Sequence, residues 1–190
     1  GDADDRLLAK TAIEQLDRWH GQAGGVFSGD ESLAGLMPPQ GTELCAVVEY
    51  LYSLEVLAST LGEPWIGDRL EKIGFNALPA TFSPDMWSHQ YDQQANQVVC
   101  AVSDDRVYTT NNADANIFGL EPNYGCCTAN MHQGWPKFAS HLWMETLGDH
   151  GDVGLAVIAY APCRIHTEVH GVPVDVGVTT HYPFDDTIVL

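Results

Sequence analysis

The spacing of apolar residues predicts helices over most of the chain. Four stretches show the three- and four-residue periodicity of an amphipathic helix: residues 5–20, 43–62, 66–81 and 127–144. The first places Leu8 and Trp19 on one face, and Gly62 marks the end of the second. We expect the second and third stretches to be antiparallel neighbours, because the turn between them is short.

The pattern changes near Val153. Beyond it apolar and polar residues alternate, Val, Ile, Thr and Tyr are frequent, and His170 and Gly171 mark a turn between strands. We therefore predict a mainly α fold in residues 1–150, followed by the start of an all-β domain in residues 151–190. The chain lacks an initiator Met and opens in mid-pattern. We expect it to be an excerpt of a longer protein.

Two long segments between the predicted helices have no periodic pattern. Residues 21–41 are rich in Gly and Pro, and loops of this length are uncommon and often functional. Residues 82–124 combine aromatic, amide and His side chains. This composition suits a wall that binds a polar ligand. An ordinary surface loop has the same composition, and composition alone favours that simpler interpretation.

The net charge of −18 argues against nucleic acid as a partner. The 190 residues contain 26 acids and only 8 Lys and Arg residues, and no basic cluster offsets this locally. A neutral ligand such as a sugar is compatible with an acidic surface. No apolar run approaches the roughly 20 residues that a membrane span needs. We therefore expect neither a nucleic-acid nor a membrane partner.

Five cysteines are present, and two of them, Cys126 and Cys127, are adjacent. A buried cysteine acts as a small apolar residue that alanine replaces well, and neighbours in sequence seldom form a disulfide because its geometry is restrictive. The pair is therefore interpreted as two thiolates, which bind metals or act as nucleophiles. An odd count without regular spacing fits a reducing compartment or a metal site. We therefore expect a cytoplasmic protein.

Four side chains at two predicted helix starts form a candidate metal site, called here the Glu/Cys cluster: Glu43, Cys45, Cys126 and Cys127. Helix N-termini favour anions, so carboxylate and thiolate are stabilised at both places. Three sulfurs and one carboxylate complete a tetrahedral zinc shell. The spacing is not that of a zinc finger or ribbon. The residues alone leave a second interpretation open, in which these are buried thiol pairs at helix starts.

Three segments together resemble glycoside hydrolase family 127, the β-L-arabinofuranosidase family that was formerly a domain of unknown function: GTELCAVVEYLYSLEVL, HQYDQQANQVVC and GLEPNYGCCTANMHQGWPKF. The resemblance runs from the first predicted helix into the β segment, and the Glu-x-Cys and Cys-Cys pairs are its most specific parts. It implies that residues 1–150 are the C-terminal part of an (α/α)6-barrel catalytic domain. Residues 151–190 would then be the first strands of a β-sandwich domain.

The resemblance also implies a metal and a reaction. Characterised members hold Zn²⁺ with the residues that match the Glu/Cys cluster, and the first cysteine of the adjacent pair, Cys126, is their nucleophile. The reaction is hydrolysis of a glycosidic bond with retention, in which sulfur replaces the usual carboxylate nucleophile. The acid/base of the family is a Glu upstream of the metal-binding Glu. Here that predicts Glu31, with Asp30 as the alternative.

Further side chains are predicted to contact a sugar. His89 and Tyr91 offer hydrogen bonds to hydroxyl groups, and His132 lies about one helical turn after the cysteine pair. One residue departs from the family pattern, because Tyr124 stands where characterised members carry a further cysteine. The predicted zinc ligands do not include that position, so the departure affects the expected substrate pocket rather than the metal site.

The leading hypothesis is a zinc-dependent glycoside hydrolase with a cysteine nucleophile, acting on a β-L-arabinofuranoside or a related sugar. Its expected partner is a carbohydrate substrate, and a homodimer of the full-length protein is a further expectation. We expect this chain alone to be inactive, because an incomplete barrel exposes helix faces. The alternatives are a structural zinc site, a noncatalytic carbohydrate-binding module and a thiol redox module. The last lacks the Cys-x-x-Cys spacing of such proteins.

Overall fold

The computed structural model describes residues 3–102, 104–105, 109–121, 123–148 and 150–190. Five α-helical segments follow one another in that part of the chain: α1 (Ala3–His20), α2 (Leu44–Leu61), α3 (Pro64–Lys72), α4 (Leu78–Ala80) and α5 (Gly125–Ser140). A π-helical turn, Ile73–Ala77, joins α3 to α4, and a short 3-10 turn, Pro38–Gln40, precedes α2. The third predicted helix is therefore one helical run with a widened middle.

Seven short strands form three separate antiparallel sheets within the described residues. The first sheet pairs β1 (Thr42–Glu43) with β2 (Asp92–Gln93) beside the start of α2. The other two follow α5: β3 (Trp143–Leu147) pairs with β4 (Val153–Val157), and the last sheet has the order β5 (Cys163–Val169), β6 (Val172–Thr180) and β7 (Ile188–Val189). The chain thus combines helices with small sheets.

The last helix is shorter than its sequence pattern predicts. We expected it to extend to about Met144, but α5 ends at Ser140, and His141 leaves the helical conformation with φ −111° and ψ 12°. The next residues form β3, because Trp143 to Leu147 pair in register with Val157 to Val153. The strands that follow α5 therefore begin at Trp143, ten positions before the predicted change near Val153.

The core is centred on α2. Its residues Leu44, Val47, Leu51 and Leu54 are at most 1% exposed, and they pack against α3 and α5. Burial of such side chains contributes about 1.5–3 kcal/mol each to folding. Within the described residues α2 is also the one helix long and apolar enough, by length and composition alone, to cross a membrane. Core helices meet the same criterion.

Two glycines bring α5 close to its neighbours. A Cβ atom at Gly134 would lie 2.9 Å from the Leu78 side chain and 3.1 Å from that of Val48. A Cβ atom at Gly74 would lie 2.6 Å from the Phe138 ring. Both positions therefore require a residue without a side chain. The close packing holds the C-terminal half of α5 against α2, α4 and the π-helical turn.

Candidate metal centre

The sheet formed by β1 and β2 positions the first two members of the Glu/Cys cluster. Glu43 is the last residue of β1 and pairs with Asp92, while the Leu44 amide donates to the Tyr91 carbonyl at 2.8 Å. Glu43 itself has an extended backbone, with φ −64° and ψ 142°, and α2 begins with the next residue. Strand pairing up to the helix start therefore aims both Glu43 and Cys45 at the same end of α2.

The first turn of α5 positions the other two members. Tyr124 precedes the helix, and its carbonyl accepts hydrogen bonds from the amides of Cys127 (3.1 Å) and Thr128 (3.3 Å). Cys127 is fully buried, whereas Cys126 is exposed. The adjacent thiols therefore have different access to solvent.

The four side chains converge, which confirms the geometric part of the sequence prediction. One potential ligand atom from each residue lies within 4.8 Å of the others. The sulfurs of Cys45 and Cys127 are 3.3 Å apart, and the sulfurs of both Cys126 and Cys127 lie 3.7 Å from Glu43 Oε1. Two ligands of one tetrahedral zinc, with zinc–sulfur bonds near 2.3 Å, lie about 3.8 Å apart. The four residues can together hold a metal ion.

Within the cluster the three thiols differ in acidity. The pKa of Cys45 is lowered, chiefly because the Cys127 thiol hydrogen-bonds to it and more weakly because the Asn130 side chain does so. The pKa of Cys127 is correspondingly raised, first by that hydrogen bond and then by burial. The pKa of Cys126 is raised mainly by burial and then by Cys45.

The geometry can be compared with known proteins. No family model matches the chain, and no curated protein matches it. A solved structure that is similar is Ara127N-Se, a GH127 β-L-arabinofuranosidase from Geobacillus stearothermophilus T6, with a TM-score of 0.72 and 16% sequence identity over 96% of this chain. The chain has a GH127-like fold. It spans 28% of the length of that enzyme's chain, so the likeness concerns one part of a longer molecule.

The predicted acid/base residues lie in the loop that precedes α2 of this GH127-like fold. Asp30 is half-buried, and its Oδ2 accepts a 2.7 Å hydrogen bond from Gln40. Glu31 is exposed. The pKa of Tyr91 is raised first by burial and then by the charges of Glu43 and Asp92. Asp30 and Glu31 raise it further, Asp30 more than Glu31. Either residue as acid/base stays a prediction.

The side chains predicted to bind sugar lie around the first turn of α5. Tyr91 is buried and stacks on Tyr124, with ring centroids 3.8 Å apart and planes at 12°. His89 is fully buried, with Nε2 3.0 Å from Thr128 Oγ1, and burial lowers its pKa. His132 is exposed, with Nδ1 2.7 Å from the Thr128 carbonyl oxygen. Their roles as sugar ligands stay predictions.

One buried acid beside the cluster was not singled out from the sequence. Asp92 pairs with Glu43 across the first sheet, is fully buried, and leaves Oδ1 without a hydrogen-bond partner among the described residues. Burial, with help from Asp30 and Glu43, raises its pKa to about 9. A neutral carboxyl group thus lies next to a candidate metal ligand at pH 7. The Asn111 amide donates to its Oδ2.

Proposed function

We propose that this chain belongs to a zinc-dependent retaining glycoside hydrolase that acts on β-L-arabinofuranosides or a related sugar. The observation that carries the proposal is the convergence of the Glu/Cys cluster within 4.8 Å on a GH127-like fold. Low sequence identity leaves function to be argued from the site. Three thiols and one carboxylate in contact at two helix starts are the chemistry that a sulfur nucleophile needs.

The cluster would hold Zn²⁺ through one carboxylate oxygen and three sulfurs. Thiolate ligands select zinc or similarly soft ions over Mg²⁺ and Ca²⁺. Bound zinc lowers the pKa of a coordinating thiol and so supplies the thiolate at neutral pH. The surroundings of Cys126 and Cys127 raise the pKa of both thiols, so both would depend on bound zinc for their thiolate form.

Cys126 is the proposed nucleophile because it is the exposed member of the pair. Its sulfur attacks the anomeric carbon, and a carbon–sulfur bond forms as the glycosidic carbon–oxygen bond breaks. The leaving oxygen takes a proton from Glu31, or from Asp30 as the alternative. Water then attacks the same carbon and gives its proton to that carboxylate, while the electron pair returns to sulfur. Two displacements give overall retention.

The surrounding architecture is proposed on the same basis. Residues 1–150 would be the C-terminal part of an (α/α)6-barrel catalytic domain, and residues 151–190 would begin a β-sandwich domain. The full-length protein would be a cytoplasmic homodimer with a carbohydrate substrate. Its net charge of −18 suits a neutral substrate better than an anionic one.

A structural zinc site is the second candidate, and one observation favours it. All four ligands come from the protein, and closed four-ligand sites are usually structural. The two candidates differ in the fate of Cys126: a structural ligand stays bound to metal, whereas a nucleophile becomes attached to the sugar.

The test uses the full-length protein that contains this chain, with an activated aryl L-arabinofuranoside as substrate. We expect Cys126→Ser to abolish turnover, because a hydroxyl group is a poor nucleophile at neutral pH. A sugar adduct trapped on the active enzyme should map to Cys126 by mass spectrometry. The matched control is Cys100→Ser, because Cys100 is an exposed thiol outside the cluster. An adduct on Cys127 or a carboxylate would contradict the proposal, and undiminished activity of Cys126→Ser would favour the structural site.

A further inference from the structure

Glu121 is an exposed residue just before α5 that has no role in the proposed displacement. Its Oε2 accepts a hydrogen bond from the Thr128 hydroxyl group at 2.5 Å, and a Cβ atom at Gly125 would lie 3.8 Å from its Oε1. Gly125 and Thr128 are three residues apart in the helix and so lie on one face of it. The Glu121 carboxylate therefore lies along the same first turn of α5 that carries the exposed Cys126 thiol.

His89 supports Glu121 through its backbone and through its ring. The backbones of His89 and Gly119 exchange two hydrogen bonds of 3.0 Å each, which holds the segment that leads to Glu121. Nε2 of the fully buried His89 ring lies 3.0 Å from the Thr128 hydroxyl oxygen. An ionised carboxylate only accepts hydrogen bonds, so the one hydroxyl hydrogen of Thr128 goes to Glu121, and His89 Nε2 is the donor to Thr128. The hydrogen bonds therefore run in one direction, from His89 through Thr128 to Glu121.

The carboxylate keeps acceptor positions for a ligand. An ionised carboxylate has about four of them, and the Thr128 hydroxyl group takes one, on Oε2. Apart from the chain neighbours of Gly125 and the backbone of α5, Glu121 Oε1 is the one atom of the described residues within 4 Å of a Cβ atom at Gly125. Space and free acceptor positions thus occur together beside the exposed thiol. Such positions suit the hydroxyl groups of a neutral sugar, which donate hydrogen bonds.

We propose that Glu121 accepts a hydrogen bond from a hydroxyl group of the sugar that Cys126 attacks, and that Thr128 is a positioning residue that orients the Glu121 carboxylate. This inference rests on the proposed glycoside hydrolase function and deepens it, because it names a residue that selects the substrate. Glu121 contacts the sugar, whereas Thr128 acts only through Glu121. A carboxylate that is already held in its binding orientation loses less conformational entropy when the ligand binds.

The test measures kcat/KM of the full-length protein that contains this chain, with an aryl L-arabinofuranoside and with analogues that each lack one sugar hydroxyl group. The native protein should discriminate against at least one analogue by about 10–100-fold, the usual effect of a hydrogen bond to a charged group. Glu121→Gln should remove most of that discrimination, because its amide oxygen then faces the Thr128 hydroxyl group and its NH2 group, which accepts nothing, faces the sugar. The matched control is Glu71→Gln, since Glu71 also accepts a hydrogen bond from a hydroxyl group, that of Tyr182, and it should leave the discrimination unchanged.

Two substitutions of Thr128 test its positioning role. Thr128→Val keeps the shape without the hydroxyl group and should weaken the same discrimination, whereas Thr128→Ser keeps the hydroxyl group and should preserve it. Thr128→Val should add nothing in a Glu121→Gln background, because Thr128 acts through Glu121. The zinc content of every variant should match that of the native protein, since neither residue belongs to the Glu/Cys cluster.

The outcomes separate this inference from the proposed function. Unchanged discrimination by Glu121→Gln, or a native protein that hydrolyses the glycoside and every analogue equally well, would overturn the inference and leave the hydrolase function in place. An equal loss of activity towards every substrate, or a loss of zinc, would also overturn it, because either result indicates a structural role for Glu121. If the native protein does not hydrolyse the glycoside, the proposed function fails first and the inference fails with it.

Discussion

Adjacent residues of an α-helix point about 100° apart, and this separates the two neighbouring cysteines. Cys127 is directed into the contact with α2 and is fully buried, whereas Cys126 remains exposed at the start of α5. Both sulfurs nevertheless lie 3.7 Å from the same Glu43 oxygen. One helix turn can therefore supply an inner ligand and a ligand that a substrate can reach.

Asp92 gives a prediction about the pH dependence of stability. Its pKa is about 9 in the folded chain, against about 4 when unfolded. Between pH 4 and pH 9 unfolding releases the Asp92 proton. The contribution of Asp92 to the free energy of unfolding is therefore complete below pH 4. It falls by up to about 1.4 kcal/mol per pH unit as the pH rises towards 9. We expect Asp92→Asn to abolish this slope.

Urea unfolding of the reduced, metal-free chain at pH 5, 6.5 and 8 measures the difference. The native chain should lose stability relative to the Asp92→Asn variant as pH rises over this range. Parallel profiles for the two proteins would show that Asp92 is ionised in the folded chain and that its burial has been misjudged.

The sequence predicts the residues of the cluster but not the residues that support it. Cysteine and glutamate at helix starts carry a chemical signal in the sequence itself. Asp92 carries none, because its neutral state arises from burial and strand pairing with Glu43.

At the scale of elements, the position of the cluster depends on how closely α5 packs. The buried Phe138 ring of α5 fills the space over Gly74 in the π-helical turn, and Phe75 meets the same ring edge-on at 5.6 Å. The rigid ring has little room to move in a closely packed interior. Any side chain at Gly74 therefore displaces α5.

We expect Gly74→Ala to destabilise the chain by about 1–3 kcal/mol, the usual cost of overpacking a core. The displaced helix should also weaken zinc binding, since α5 carries two of the four ligands. Chemical denaturation and chelator competition measure the two effects. The control is Gly177→Ala in β6, where an added Cβ would meet nothing within 4 Å. Equal stability of the two variants would contradict this account of the α5 contact.

Periodicity predicts the helices better than the strands. The apolar stripe of residues 43–62 predicts α2 almost to its ends. Gly62 is the signal for the C-terminal end, and it adopts the left-handed conformation directly after the helix. The predicted end of the last helix and the predicted start of the strands after it were both wrong. Trp143, Met144 and Leu147 continue a helical apolar spacing, and only pairing with β4 makes them a strand. Strand pairing is a long-range property that such a local pattern does not contain.

At the scale of the whole molecule, exposed apolar side chains limit what the chain does alone. Leu7, Leu8 and Trp19 of α1 are 63%, 69% and 54% exposed. Under the proposed barrel architecture other helices would cover such faces. Exposed apolar patches favour association, although the high net negative charge opposes it.

We expect the 190-residue chain alone to self-associate and to show no glycosidase turnover, because under the proposed barrel architecture some substrate contacts would come from other helices. Light scattering after size-exclusion chromatography measures the association, and Leu8→Lys should reduce it more than Leu190→Lys at an exposed terminal residue. Robust hydrolysis of an aryl L-arabinofuranoside by a monomeric chain would show that catalysis does not need the other helices of the proposed barrel.

The most direct test of the metal centre is X-ray absorption at the zinc edge on the reduced, zinc-loaded chain. We predict one zinc per chain, with three sulfur neighbours at about 2.3 Å and one oxygen neighbour at about 2.0–2.2 Å. Cys45→Ser should remove one sulfur from that shell. A chain that retains no zinc after dialysis, or a zinc shell with fewer than three sulfurs in the native chain, would contradict the proposed metal centre.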